Sequence, residues 1–280
     1  MAVRLFGEDG DALAAAGADL DALRALEEEV AGQVASLPRG DAIDAHVHLG
    51  RDADGHHLDV ADLLADLERW GIGAAVCFPA NEPGPDGQFA AANAAVLAAA
   101  GAAPGRVIPF CRVDPRRPGA LDAIARAAAA GARGLKLHPV AQRFRPESDE
   151  AVAVVREASL RGWPITLHAG FGARPLAAGI GALVQAVPEA RLVLAHGGRG
   201  DARAIAARLG GWPNVMLDTS LAALADLVTL PPARLVFGSD RPYGDHGTAL
   251  LLVRRAADVA GWGDDDLAMV MGGNLRRWVP

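Results

Sequence analysis

The residues able to do chemistry are sorted by position along the chain. Of its eight histidines, His46 and His48 form an H-x-H inside AIDAHVHLG (42–50), and His138 lies near the end of RGLKLHPV (133–140). His168 lies near the end of PITLHAG (164–170), His196 near the end of RLVLAHGG (191–198), and Asp240 ends RLVFGSD (234–240). His56, His57 and His246 fall in the loops that follow such segments. Scattered structural histidines would not collect at the ends of apolar runs. Residues two apart in a strand face the same side. His46 and His48 therefore point one way, and Ile43, Ala45, Val47 and Leu49 the other. Two imidazoles directed into an apolar interior are costly unless bonded. A divalent cation removes that cost, because neutral imidazole is a good ligand for zinc, iron and similar ions. Two readings stand for Asp240: a turn or N-cap aspartate, or a weak metal ligand that also accepts a proton from bound water.

These side chains need elements to hold them. Three further apolar runs, GAAVCFP (73–79), RVIPFCRVDP (106–115) and NVMLDTS (214–220), bring the total to eight candidate strands. Each is followed by a helix-length stretch such as LDVADLLADLERWG. Strands this apolar, alternating with helices, imply a parallel sheet covered on its outer face. Eight such units point to an α/β fold of the closed (β/α)8 TIM-barrel type rather than to an open doubly wound sheet. No G-x-G-x-x-G opens a helix after the first strand, which disfavours nucleotide binding. In a barrel, the C-terminal ends of the strands carry the active site, and the histidines lie there. The expected organisation is an N-terminal helical extension over 1–40 and one barrel over 41–280. In the extension, Leu20, Leu23, Leu26 and Val30 recur at helical spacing. That stripe packs on the barrel's bottom or flank, or forms the contact of a homodimer.

Composition narrows the function classes. Over 280 residues, 51% are hydrophobic, enough for a large core. The net charge of −7 disfavours nucleic acid and anionic membranes as partners. No apolar run reaches membrane-spanning length and no signal peptide is evident at the N-terminus. Cys77 and Cys111 read as reduced core thiols of a cytoplasmic protein.

IDAHVHLG, LKLHP, ITLHAG, LVLAHGG, VFGSDRPYG and the terminal GGNLRRW resemble the amidohydrolase superfamily. More narrowly they resemble the amidohydrolase-related branch that includes aminocarboxymuconate-semialdehyde decarboxylase-like enzymes. The resemblance covers roughly residues 41–280. It implies one divalent ion, zinc first, held by His46, His48, His168 and Asp240. His196 would then act beside the metal as an acid–base or polarising group, or as ligand to a second ion.

Lys136 has three readings: a carboxylated lysine bridging two metals, a cation for a substrate carboxylate, or a partner of Asp44. His138 is a substrate contact or a structural group. Arg112 binds an anionic substrate group or pairs with Asp114. Arg145, Arg174, Arg199 and Arg241 lie in loops on the active face, and arginine suits carboxylate recognition; Arg241 is the candidate singled out among them. Asn274 is read as packing and capping, and Cys77 as a core thiol in preference to a group facing the pocket mouth. A zinc-like ion lowers the pKa of bound water from about 15.7 to about 7. The expected activity is thus hydrolysis of an amide, lactone or ester bond in a small, carboxylated molecule, with Asp240 and His196 catalytic. The main alternative is a metal-dependent, non-oxidative decarboxylase; a barrel that binds a ligand without turning it over is the remote one.

Overall fold

All eight apolar runs become neighbours in one curled parallel sheet. The computed structural model describes residues 4–85, 87–172 and 176–279. The barrel is preceded by a two-stranded hairpin, β1 (Arg4–Leu5) and β2 (Glu8–Asp9), and by helices α1 (Gly10–Ala15) and α2 (Leu20–Gln33). The barrel strands are β3 (Ile43–Arg51), β5 (Ala74–Pro79), β6 (Val107–Arg112), β7 (Gly134–Leu137), β8 (Pro164–Leu167), β9 (Arg191–Leu194), β10 (Val215–Asp218) and β11 (Leu235–Val236). A two-residue strand, β4 (His57–Leu58), pairs antiparallel with the end of β3. Helices α3 (Val60–Trp70), α4 (Ala90–Ala102), α5 (Ala120–Ala129), α6 (Asp149–Leu160), α7 (Ala177–Ala186), α8 (Ala202–Ala206), α9 (Leu224–Leu227), α10 (His246–Ala260), α11 (Asp264–Ala268) and α12 (Asn274–Arg276) fill the connections and the C-terminus.

The strand order runs β11-β10-β9-β8-β7-β6-β5-β3, each barrel strand beside its sequence neighbour. The ring closes where β3 meets the end of β11: Ala45 N donates to Phe237 O, Asp240 N to His46 O and His48 N to Arg241 O, each at 2.8 Å. Asp240 is thereby stitched to the strand that carries the H-x-H. Among the described residues no helix is long and apolar enough to cross a membrane.

Two expectations need correction. The simple alternation along β3 fails, because its register against β5 shifts between Asp44 and Val47. Ile43 and Ala45 pack with Phe78, Phe110, Val193 and Met216, whereas Val47 and Leu49 pack with the helix residues Leu63 and Leu67. A bulge of this kind re-aims side chains and is common near active sites. In α2 the buried face contains Glu27 and Val30, whereas Leu26 is 48% exposed. The face follows i, i+3/i+4 steps through Leu23, Glu27 and Val30, and Leu26 lies off it. Helix α2 packs against α10, on the barrel's flank.

Candidate metal centre and active-site pocket

The inner phase of the strands delivers polar groups to one end of the barrel. Arg112 ends β6, Lys136 sits in β7 between the outward Leu135 and Leu137, and Asp218 ends β10 behind Met216. His46, Arg112, Lys136 and Asp218 are fully buried. His196 and Asp240, just past β9 and β11, both adopt left-handed backbone at φ 60° and 62°. Such conformations cost of order 1–2 kcal/mol in residues with a Cβ and persist where surrounding contacts impose them. For Asp240 these are its N–H bond to His46 O and the amides of Tyr243 and Gly244 on its carbonyl. For His196 the contact is Asp218 Oδ1, 2.9 Å from its amide. Gly170, next after His168 and Ala169, has to be glycine: a Cβ there would stand 2.6 Å from the His196 ring.

Three ligand-type atoms converge. His46 Nε2 is 3.3 Å from His48 Nε2, and Asp240 Oδ1 is 3.1 Å from the first and 3.3 Å from the second. His196, His46 and Asp240 offer ligand atoms all within 4.8 Å of one another. His168 stands one step away: its Nε2 meets Phe171 O at 3.0 Å and its Nδ1 faces His196 Nε2 at 3.1 Å. Burial first, then the Lys136 charge, holds His46 and His48 well below the usual imidazole range and takes His168 down to about 4. Burial does the same for His138 and His196. All five rings are therefore neutral near pH 7, the state in which a nitrogen can bind a cation.

The site fits a divalent ion on its own terms. Asp240 Oδ1 is buried without a hydrogen-bond partner among the described residues. Burial raises the Asp240 carboxyl well above its ordinary range while Lys136 pulls the other way. A carboxylate and two neutral imidazole nitrogens around one point are a hard-to-borderline N/O donor set. His46 Nδ1 is engaged by Asp218 Oδ2 at 2.7 Å, which leaves Nε2 the unprotonated nitrogen, aimed at the centre.

The pocket above the centre holds about 350 Å³ and is lined by His48, His138, His168, His196, Asp240, Arg112, Asn81, Asp52 and Tyr243, among others. A larger cavity of about 720 Å³ lies alongside, between Val140, Phe144, Arg145, Glu147 and Leu176. None of the clustered imidazoles lines it, so the smaller one is the candidate active-site pocket.

The substrate candidates separate here. Arg112 lines the pocket, its Nη1 donating to Pro79 O at 3.3 Å and its Nη2 to Asn81 Oδ1 at 3.1 Å. Its guanidinium carbon lies 4.7 Å from the centre of the Phe89 ring. Its Nε has no hydrogen-bond partner among the described residues, and Asp114 pairs with Arg116 instead, at 2.9 Å. Burial lowers Arg112 only to about 10, so it stays charged. His138 stacks on His168 with centroids 3.8 Å apart. Its Nδ1 accepts from Ala141 N at 3.2 Å, which puts the ring proton on Nε2.

Lys136 does not pair with Asp44, and Arg241 is placed otherwise than expected. Lys136 lies beneath the imidazoles, its Nζ 2.9 Å from His46 Nε2 and 4.3 Å from the Phe78 ring centre. Burial lowers it to about 7 against the pull of Asp240. Asp44 is not its partner but is taken by Ser239 and by His246 Nε2 at 3.0 Å. Arg241, past the end of β11, turns away from the pocket, toward Gly7 O at 3.1 Å and Asp66 at 2.9 Å. His246 begins α10 rather than lying in a loop. Arg145 pairs with Glu147, and Arg199 lies over Phe171 on the pocket wall. Arg174 lies outside the described residues. Cys77 is fully buried with Sγ near Ala75 O, and Asn274 caps Pro232 O and Leu235 O, both at 2.8 Å.

Asp218, Asn81 and Tyr243 were missed in the sequence. Asp218 carried the same signal as Asp240, an acid closing an apolar strand. Asn81 and Tyr243 lie in loops, where spacing says nothing about direction.

Comparison with known proteins agrees with this fold. The family model described as Amidohydrolase matches residues 43–280. A search of curated proteins finds no match. Among solved structures, 5-carboxyvanillate decarboxylase LigW from Sphingomonas paucimobilis superposes with a TM-score of 0.66 at 18% identity, covering 86% of this chain and 99% of that one. A Pseudomonas putida protein provisionally described as a 2-pyrone-4,6-dicarboxylic acid hydrolase gives 0.64 at 22% identity, with 86% and 97% coverage. An amidohydrolase from Burkholderia multivorans with bound zinc gives 0.65 at 18% identity, with 85% and 99% coverage. At these identities the likeness is one of fold.

Proposed function

The chain belongs to the amidohydrolase family, and from that premise we propose that it is a metal-dependent hydrolase acting on an amide, lactone or ester bond of a small, carboxylated substrate. The observation that carries this reading is Asp240 Oδ1, a buried acceptor without a hydrogen-bond partner among the described residues, 3.1 and 3.3 Å from the Nε2 atoms of two neutral imidazoles and on the wall of the pocket. His46, His48, His168 and Asp240 would hold the ion, zinc by preference, with His196 available to a second one. Such an ion supplies Lewis acidity and makes water acidic enough to attack at neutral pH.

The chain's own groups do the rest. Asp240 takes the proton of the attacking water and can return it to the leaving group. His196, neutral and with its backbone amide held by Asp218, is the group we assign to the developing oxyanion, its Nε2 leaving His168 Nδ1 to do so. His138 donates from Nε2 to a substrate oxygen. Arg112, charged and without a carboxylate partner, receives the substrate carboxylate, and Asn81 keeps its fork turned toward the pocket.

Decarboxylation is the second reading, favoured by the same Arg112 and by the likeness to a carboxyvanillate decarboxylase. Arg112 would then hold a carboxylate for loss as carbon dioxide, with an imidazole placed to protonate carbon. The test uses carboxylated lactones and amides beside carboxylated aromatics, in water enriched in heavy oxygen. Heavy oxygen in a ring-opened or cleaved product supports hydrolysis. Carbon dioxide release with no such incorporation overturns it in favour of the second reading.

A further inference from the structure

The N-terminal hairpin makes a contact that bears on the centre from outside the residues the family model matches. Its two-residue turn, Phe6-Gly7, has both residues at positive φ, 50° and 80°, the backbone of the tight turn that suits a right-twisted hairpin. Glycine tolerates this freely, whereas Phe6 pays strain for it. The turn is nevertheless held in place: Phe6 N donates to the buried Glu27 carboxylate at 2.8 Å, and Glu27 also pairs with Arg69 of α3. Arg4 pairs with Asp62, again on α3.

What the turn presses against is Arg241, the residue after Asp240. The Arg241 guanidinium lies flat on Gly7: a Cβ at that position would stand 2.6 to 2.8 Å from its Cζ, Nη2 and Nη1. Arg241 Nη2 donates to Gly7 O at 3.1 Å, its Nη2 is 2.9 Å from Asp66 Oδ2, and its Nη1 is 3.6 Å from Glu8 Oε1. The side chain is 2% exposed. Gly7, Glu8 and Asp66 thus enclose a guanidinium whose backbone carbonyl accepts from His48 N and whose own amide meets Ser239 Oγ.

We propose that Gly7 and Arg241 form a lock in which the N-terminal hairpin fixes the direction of Asp240, making both of them positioning residues for the centre. One side of Asp240 is tied to β3 through His46 O. The lock supplies the other side, so that a left-handed residue cannot relax and swing its carboxylate out of reach of the two imidazoles. The consequence for metal affinity rests on the proposed role of Asp240 as ligand; the mechanical consequence does not.

The experiment uses the full chain with Gly7→Ala, which places a methyl group in the guanidinium, and with Asp66→Asn, which releases the same group from the other side. Two readouts are taken: amide hydrogen exchange of the metal-free protein over residues 239–244, and the Zn2+ dissociation constant by chelator competition. Both variants are expected to speed exchange in that segment by about 10-fold, with β7 and β8 unchanged, and to weaken Zn2+ binding by about 10-fold, the lower end for residues that orient ligands. Unchanged exchange over 239–244 in both variants overturns the lock. Faster exchange throughout the barrel overturns it as well, because the contact would then serve only general stability. A wild-type protein that binds no Zn2+ removes the metal reading while leaving the exchange result to decide the lock.

Discussion

Asp218 Oδ2 lies 2.7 Å from His46 Nδ1, and both groups are wholly buried. The contact fixes which imidazole nitrogen carries the proton, since a carboxylate accepts and Nδ1–H must donate. Nε2 is then the unprotonated nitrogen at the centre, with Lys136 Nζ 2.9 Å away. The other oxygen of Asp218 accepts from the amides of His196 and Ser220. One carboxylate therefore sets the tautomer of one histidine and the backbone of another.

Asp218→Asn should weaken metal binding by about 10- to 100-fold, the cost usual for losing a group that orients a ligand. An amide can donate as well as accept, so it can stabilise the wrong tautomer of His46. Chelator competition on purified variant and wild type measures this. Equal affinities would mean that Asp218 has no part in preparing His46.

His196→Ala should keep most of the metal and lower turnover by about 10²- to 10⁴-fold, the range for an acid–base or polarising group. Elemental analysis and kcat on one sample separate the two effects. Because His196 lies within 4.8 Å of His46 and Asp240 through its ligand atoms, loss of the ion in this variant would make it a ligand instead.

Arg112→Gln should raise KM for a carboxylated substrate while leaving an uncarboxylated analogue unaffected. A hydrogen bond to a charged group contributes about 1.5–3 kcal/mol, which corresponds to about 10- to 150-fold. The discriminating measurement is the ratio of KM values for the two substrates. A ratio unmoved by the substitution would leave Arg112 as a buried prop for Asn81 and the Pro79 carbonyl.

Cys77 and Cys111 should resist thiol reagents in the native protein. Burial pushes the Cys111 thiol up to about 12 and raises Cys77 as well, so at pH 8 the thiolate of Cys111 is about 10⁻⁴ of the total. Labelling with a chromogenic disulfide should proceed only in denaturant, where both react. Rapid native labelling would contradict their burial.

The barrel and most of the centre were legible in the sequence because both depend on strand period and strand ends. Apolar runs with a histidine or aspartate at the end mark His46, His48, His168, His196 and Asp240 without any knowledge of contacts. Direction is where this reading loses force. Period 2 predicted Ile43 and Ala45 on the outer face, and a one-residue shift in β3 reversed it. Arg241 follows a left-handed residue past the end of β11, where period 2 no longer applies, and an arginine in an active-face loop suggested a substrate contact. Its real partners, Gly7 and Asp66, lie far away in the chain, and no local pattern names them. Lys136 was correctly phased inward, but depth along the strand decides whether a side chain reaches the pocket or stays beneath it, and periodicity carries no depth.

The last prediction concerns acid. Burial depresses the imidazoles of His46, His48, His138, His168 and His196, and His168 falls from 6.5 to about 4. A depressed histidine binds its proton more readily in the unfolded chain than in the native one. Between pH 6.5 and 4 the unfolded state therefore carries more protons, and native stability falls as pH falls through that window. Asp240 works the other way, since its raised carboxyl favours the native state as it protonates, but it is one group against five. Metal-free protein should thus show an unfolding midpoint that drops steadily from about pH 6.5 downward, and His168→Asn should flatten part of that slope. Metal-loaded protein should hold its midpoint to lower pH, because an ion that binds only the native state adds stability by mass action, and then lose it as protons compete for the ligands. Thermal unfolding followed by circular dichroism at half-unit steps from pH 7.5 to 4.5, with and without added zinc, reads both curves. A metal-free midpoint constant between pH 7 and 5 would show that the clustered imidazoles take up protons in the folded protein without cost, and that the site is more open to water than its burial indicates.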